Sequence, residues 1–468
     1  MKKILFLTAA IMAVTLGLSS PLAFARGSSS GGGLGQTASA SNPVTLQWVG
    51  FGFLANNGAG NLIDRYKARH PYITINYQEL GAAADTAGLA RFDTIVAGGQ
   101  QIDLAYLTTS DLMNRAINGG ALPLDPAISA NGDDFIRDYG RLGVAATSFD
   151  GNIYGVPRAG NTFKVFYNKT MADRYGITVP DQMTQAEFLE VTKRFQVAGL
   201  RWPASLQALW VQITYGAASI AGWQMVQQDN RGNVTVNFND QRFRDTIKFY
   251  RDFAQVERLA PTVAIYAAES INRRAAFARQ EAALILDGPF TLVWLQNYMF
   301  NDPGAGNLPF EIGISELPVL TQADKTRASY NELAGAFYAP STNRNLLEAY
   351  RFMRFVCNEN FDINGVYMPI YTGSDLNTAV GTFTNYTDNR GTRHTNIFPV
   401  PTAIRAVTVP NDSFLGVFPM NPELNRFIPP LNALLEGQLP LYLNDEMTLD
   451  AFIQDLTRRG QEIVNNLR

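Results

Sequence analysis

The sequence predicts an α/β protein built as two doubly wound bodies, and three observations carry that expectation. A chain of 468 residues exceeds what one hydrophobic core serves. Its first folded stretch alternates strand and helix patterns in the order βαβαβ, which builds a parallel sheet with helices on both faces. The alternation then starts again beyond residues 152–169, where the chain is expected to cross from one body to the other.

That crossing organises the rest. Residues 153–156 are short and apolar and stop at Pro157, which has no N–H to give a ladder, so regular structure is expected to pause there. Residues 163–167 resume as a strand around a single Lys164, ahead of the turn residues Asn168 and Lys169. Between them Arg158-Ala159-Gly160-Asn161 reads as the passage.

Taken from the start, residues 1–25 read as a secretory signal peptide: Lys2 and Lys3, an apolar run over 4–18, and Ala23-Phe24-Ala25 as a small-x-small cleavage site. The run is too short to span a bilayer, and no other stretch is long and apolar enough to do so. Cleavage removes two lysines and leaves 36 basic against 41 acidic side chains, a net charge of −5 that argues against a nucleic-acid partner. Cys357 is the only cysteine, so an exported chain has no intramolecular disulfide and no cysteine at the cleavage site to take a lipid. A chain neither lipidated nor membrane-spanning is retained only by a cell with two membranes, which points to the periplasm, with secretion to the medium as the alternative. Residues 26–43 are rich in Ser, Gly and Ala and are expected to form a flexible linker. The run Gly27-Ser28-Ser29-Ser30-Gly31 matches G-x-S-x-G formally but has neither the strand nor the helix of a nucleophile elbow.

The folded part opens with a strand over 44–49. A helix follows through Leu62, Ile63 and Tyr66 with Asn61 as its cap, and then a strand through Ile73, Ile75 and Tyr77. Leu89, Phe92, Ile95 and Val96 mark a helix stopped by Gly98-Gly99, and 102–107 form a buried strand. Thr109 or Ser110 is expected to cap the next helix. Beyond the crossing, Thr184-Gln185-Ala186-Glu187 is a capping box ahead of Phe188, Leu189, Val191 and Phe195. Helices over 241–258 and 271–279, a buried strand over 282–286, a return strand within 311–320 and a helix over 348–355 follow. The last helix starts near Thr448 and lines up Leu449, Phe452, Ile453 and Leu456.

Catalytic signals are sparse. His70 ends a helix, where a cation suits the dipole, and His394 sits in a polar loop. There is no H-E-x-x-H, no C-x-x-C and no phosphate loop, so neither zinc nor nucleotide chemistry is indicated, and no metal or cofactor is expected. A glycosidase with two carboxylates remains open on motif alone, as does a surface adhesin.

A set of ordered pieces carries a resemblance. They are Arg69-His70-Pro71, the run 98–103, Gly119-Gly120-Ala121-Leu122-Pro123-Leu124-Asp125, and Tyr154-Gly155-Val156-Pro157 with Tyr167-Asn168. Ala276-Phe277-Ala278 leading to Asp287-Gly288-Pro289-Phe290 completes the set. In that order the chain resembles the family 1 extracellular solute-binding proteins of bacterial ABC importers, the group similar to maltose-binding protein. It departs from them at Phe290, where the family often has Trp, and at Ile102, where it often has Pro. The resemblance implies a type II periplasmic binding protein, with two lobes joined by a hinge and a ligand in the cleft between them. The implied lobes are 44–157 plus 320–366 and 158–319 plus 367–468.

The residues themselves put a site in the same place, since open α/β sheets bind ligand at the carboxyl ends of their strands. Those ends bring Phe51 and Phe53, Glu79, Thr108, and Asp287 with Phe290. Aromatic faces beside polar side chains suit sugars, whose C–H faces stack and whose hydroxyls need partners in a dry cleft. The resemblance adds a stacking role for Phe290, a cleft aromatic at Trp210, Asn331 and Glu332 on the returning chain, and an acidic position at Asp103. Tyr371 and Phe418 are further aromatic candidates with packing as their competing reading, and Asp103 competes as a loop cap. The expected function is a monomeric, non-enzymatic periplasmic receptor that delivers a sugar or oligosaccharide to a membrane permease. The alternatives are a peptide or polyamine receptor and a glycosidase.

Overall fold

A computed structural model describes residues 33–50, 59–80, 86–206, 216–301, 310–326, 331–359, 368–408 and 422–467. The expected signal peptide, Phe51, Phe53, Trp210 and Phe418 lie outside the described residues.

The chain opens with β1 (Val44–Gly50), α1 (Ala59–Arg69), β2 (Ile73–Glu79), α2 (Thr86–Ala97) and β3 (Leu104–Leu107). β1 pairs in parallel with β2 and with β3, as the alternation of patterns requires. Leu62 and Tyr66, one turn apart on α1, are buried, while Lys67 and Arg69 occupy its last turn, where the helix dipole favours cations. Ala59 extends α1 ahead of Asn61, which therefore lies in the first turn instead of capping it. The cap of α3 (Thr109–Ile117) is Thr108, not Thr109 or Ser110. Thr108 keeps the extended backbone of the strand it follows, and its hydroxyl accepts the Asp111 N–H. α4 (Phe135–Thr147) then leads to the crossing.

Next come β4 (Gly155–Thr162), β5 (Lys164–Asn168), α5 (Gln185–Arg194), β6 (Ala204–Ser205), α6 (Gln241–Gln255), α7 (Arg273–Ala278) and β7 (Leu284–Asp287). After these follow α8 (Thr291–Asn301), β8 (Ile312–Glu316), β9 (Asn331–Tyr338), α9 (Leu346–Glu359) and β10 (Met368–Pro369). α10 (Val400–Val407), α11 (Ile428–Leu443) and α12 (Leu449–Asn466) close the chain. Both bonds of the capping box Thr184/Glu187 form at the start of α5. Thr448 caps α12, whose Phe452, Ile453 and Leu456 are buried.

Among the described residues two open sheets dominate. The first has the order β10-β4-β9-β3-β1-β2 and the second β8-β5-β7-β6. β9 runs antiparallel to both β3 and β4, and β5 antiparallel to both β7 and β8, so each sheet is mixed. One face of the first sheet packs Val49 and Leu107 on Phe92 of α2. One face of the second packs Val165, Leu284 and Leu286 with α5, α6, α11 and α12. The remaining faces share one continuous core, which joins Trp48, Tyr106 and Phe337 to Phe166, Ile285 and Ile314.

Two expectations are corrected here. Regular structure does not pause at Pro157, because β4 runs through it to Thr162. Proline is tolerated in a sheet at a bulge, and the register of β9 against β4 shifts between Gly335 and Ala336, the residue paired with Pro157. Gly335 itself approaches so closely that a Cβ there would stand 2.6 Å from the Tyr106 ring. Residues 158–162 thus belong to the first sheet and the passage is Phe163. Met368 and Pro369 also lie on the first sheet, paired with Gly160 and Ala159, and not beyond a boundary at 367. The second correction concerns the linker, whose described part is docked. Leu34 O accepts the Leu347 N–H at 3.0 Å and Glu348 Oε1 accepts the Ala38 N–H at 3.0 Å. At Gly35, with φ +75°, a Cβ would stand 2.8 Å from Arg344 O, so the small residues that suggested disorder are what lets this backbone lie against the start of α9.

Cys357 is buried on α9, and burial pushes its thiol up to about 12. An unfolded thiol releases its proton near pH 8.5, so above that pH the folded state holds more protons and stability falls as pH rises. At pH 9.5 this one group should remove about 1.4 kcal/mol, on top of a contribution from buried tyrosines, which ionise near pH 10 once unfolded. Melting curves of the parent and of Cys357→Ala between pH 8 and 9.5 should differ in slope; parallel curves would show that the thiol does not drive the decline.

Candidate functional site

The two sheets meet where β4 ends and β5 begins, with Phe163 between them. Lys164, the first residue of β5, is in register with Asp287 at the carboxyl end of β7 and with Glu316 at the carboxyl end of β8. On the other side of Phe163, Thr162 and Asn161 pair with Asn331 and Glu332 at the start of β9. Outgoing and returning strands therefore share one junction, and the strand ends of the second sheet face it.

Asp287 and Phe290 are held there by their neighbours. Asp287 is fully buried, and its carboxylate accepts Arg274 Nε at 2.7 Å, Arg273 Nε and Nη2 at 3.2 Å each, and the Gly288 N–H at 2.9 Å. A fully desolvated carboxylate needs such partners, and two guanidiniums on one carboxylate leave a positive excess. Arg274 in turn lies 4.8 Å from the centre of the Phe290 ring. Phe290 is half-buried and folds back over Gly288, where a Cβ would collide with its ring and stand 2.7 Å from Asn161 Oδ1. The Asp-Gly-Pro-Phe loop of the second sheet thus abuts Asn161 near the end of strand β4 of the first, and only glycine fits between.

The third group is an ion pair. Lys164 Nζ donates to both oxygens of Glu316, at 2.6 and 2.5 Å, with no exposure of the lysine side chain. Burial holds the Lys164 amine below its ordinary value, with Glu316 opposing that shift. α10 covers the same junction, where the Thr162 hydroxyl donates to Ala406 O at 2.6 Å.

The expected site residues divide accordingly. Asp287, Phe290, Asn331 and Glu332 come together at the junction. Glu79 and Thr108 lie exposed at the carboxyl ends of β2 and β3, and the Thr108 hydroxyl donates to Asp111 Oδ2 at 2.6 Å. Asp103 sits at the amino end of β3, the wrong edge of the sheet for a cleft ligand. Its buried carboxylate accepts the Gln47 and Arg344 N–H groups at 2.8 and 3.1 Å and Gln101 Nε2 at 2.8 Å, so it clasps the sheet to the segment before α9. Tyr371 follows β10, which runs away from the junction, and its ring lies 6.1 Å from Tyr139 of α4. The histidines stay apart: His70 stacks on Tyr66, and His394 stacks on Phe300 and lies 3.1 Å from Asp388.

Sequence reasoning missed Lys164, Glu316, Arg273 and Arg274. The signal for the first was present, since a lone charge in an otherwise buried strand demands a partner. Nothing in sequence spacing says which of 41 acidic residues supplies it.

Comparison with known proteins agrees with this architecture. A structure of a sugar transporter from Rhizobium etli in an open conformation superposes with a TM-score of 0.69 at 18% identity, covering 89% of this chain and 99% of that one. The sugar-binding protein MalE from Xanthomonas citri superposes at 0.67 with 16% identity, over 90% and 98% of the two chains. A protein of Brucella abortus (strain 2308) described as a binding protein is 21% identical over 312 residues, 65% of this chain and 70% of that protein. The two sheets are thus those of the two-lobed type II binding-protein fold. The family described as bacterial extracellular solute-binding protein matches residues 57–359, more than half of the sequence, and the chain belongs to that family.

Proposed function

We propose that the protein is an exported receptor that captures a sugar or oligosaccharide between its two lobes and delivers it to the permease of an ABC importer. The observation that carries this reading is the junction at Phe163. A half-buried aromatic ring, Phe290, stands there beside a guanidinium fixed by a buried carboxylate, at strand ends where an open α/β sheet binds its ligand. That pairing of a stacking face with oriented donors is the chemistry a sugar requires. Similar structures are described in complex with cycloalternan (Listeria monocytogenes) and with β-1,6-galactobiose (B. animalis subsp. lactis Bl-04), which supports a sugar over a peptide or polyamine. The first lobe comprises β1–β4, β9 and β10 with their helices, and the second β5–β8 with α5–α8, α11 and α12. The family and the expected signal peptide at residues 1–25 support a periplasmic location.

A thermal-shift screen over sugars, peptides and polyamines tests the reading. A ligand at 100 times its dissociation constant adds about 2.7 kcal/mol of stability. A shift with a sugar and none with the other classes is expected, and the sugar should be recovered intact. A shift with polyamines alone would overturn the sugar assignment, and release of hydrolysis product would make the protein an enzyme.

A further inference from the structure

The strand-end loop at the junction holds two positive side chains on one negative one. Asp287, at the carboxyl end of β7, receives a fork of two bonds from each of two consecutive arginines: Arg273 Nε and Nη2 at 3.2 Å each, and Arg274 Nε at 2.7 Å and Nη2 at 3.4 Å. The Gly288 N–H donates to the same carboxylate at 2.9 Å. A carboxylate has about four lone-pair positions, so Asp287 has none left for a sugar hydroxyl. Its part at the junction is to hold the two guanidiniums.

Arginine donates and cannot accept. Both forks use the Nε and Nη2 edge, and among the described residues Asp287 takes every side-chain hydrogen bond that Arg273 and Arg274 make, so the Nη1 end of each guanidinium is left for another acceptor. The cluster carries one positive charge in excess. That charge is not dispersed into water, because the Arg273 and Arg274 side chains are only 19% and 17% exposed, and in such surroundings a charge acts several times more strongly than in bulk water. The other charges of the junction do not remove the excess. Lys164 and Glu316 neutralise each other, and Glu332 on β9 is offset in number by Arg158, buried on the paired strand β4. The excess is local, since the sequence as a whole is net negative. Its place is beside the Phe290 ring, whose centre lies 4.8 Å from the Arg274 guanidinium.

Resting on the sugar-receptor reading above, we propose that the cleft selects an acidic sugar, one that bears a single anionic oxygen group, a uronate carboxylate or a sulfate ester, and that Arg273 and Arg274 bind that group. Bonds from a guanidinium to an anionic oxygen are shorter and about twice as strong as those between neutral groups. One negative charge on the ligand cancels the excess, whereas a neutral hexose leaves it in place.

The test is titration calorimetry of the intact protein with matched sugars: glucose and galactose, their uronic acids and their 6-O-sulfates, as monosaccharides and as short oligomers. Affinity for the anionic member should exceed that for its neutral counterpart by about tenfold or more, a difference of about 1.4 kcal/mol, and should fall as salt is raised, which screens charge and not stacking. A preference for uronates alone identifies the group as a carboxylate and one for sulfate esters alone as a sulfate, and either supports the proposal. Arg273→Gln, which leaves Asp287 paired with Arg274, should bring the affinity for the anionic sugar down toward that of the neutral one, with the melting temperature measured alongside. The comparison in the parent protein decides whether or not that variant folds. If neutral sugars bind the parent as tightly as their acidic counterparts, or if folded Arg273→Gln and Arg274→Gln both keep the full preference, the proposal is overturned while the receptor stands. If sugars of neither kind bind, the receptor reading falls with it.

Discussion

Replacing Glu316 with glutamine should lower folding stability by about 3–5 kcal/mol, because it leaves Lys164 buried without a counter-charge. An independent limit agrees. The cheapest escape for the folded protein is to deprotonate Lys164, and taking a proton from a lysine of ordinary pKa 10.4 at pH 7 costs about 4.6 kcal/mol. The escape has a signature. In the variant the folded state holds a neutral amine and the unfolded state a charged one, so the unfolded state binds more protons and stability rises with pH toward 10.4. Urea denaturation of the parent and of Glu316→Gln at pH 7 and 9 should show the gap narrowing at the higher pH. The double variant Lys164→Met, Glu316→Leu, which removes both charges and keeps the volume, should be neutral or more stable by about 1–4 kcal/mol. A loss below about 1 kcal/mol in the single variant would mean that water reaches the pair.

Phe290→Ala should weaken ligand binding by roughly thirtyfold, since truncating an aromatic at the centre of a binding site costs on the order of 2 kcal/mol and each 1.4 kcal/mol is about tenfold. The folding cost should be smaller than the 3–5 kcal/mol or so of a fully buried phenylalanine, because the ring is only half-buried against the second core. The contact with Arg274 adds about 0.5–1 kcal/mol to that cost. Apo melting temperature and affinity are therefore both measured. A variant that melts far earlier yet binds its sugar normally would make Phe290 a packing residue and remove it from the site.

Much of the fold was legible because it rests on short-range signals. The alternation over 44–107, the reciprocal cap at Thr184 and Glu187, and the stripe of α12 depend on neighbours within a turn or a pleat. The junction is legible only to within a few residues: sequence marks 158–161 as a break ahead of a strand at 163–167, whereas β4 runs on to Thr162 and β5 starts at Lys164. The candidate site was less so. Asp287 and Phe290 are candidates from their place at a strand end, and Asn331 and Glu332 from the family resemblance, whereas for Asp103 the sequence offers both a cleft role and a cap, and its bonds to Gln47 and Arg344 decide against the first.

By itself the sequence determined that this is an α/β chain of two alternating bodies with a passage expected at residues 158–161, since periodicity and caps act within a few residues of one another. The tertiary structure decided what depends on partners far apart in the chain. Lys164 finds its counter-charge 152 residues away at Glu316, and the Gly335 bulge accommodates Pro157 inside a strand. Asp103 closes on Gln47 and Arg344, and the Leu347 N–H and the Glu348 carboxylate of α9 hold a segment that composition marked as loose. Each of these is a buried polar group or a backbone amide that must be satisfied once water is excluded, and which group satisfies it is set by the packing of distant elements, not by local propensity.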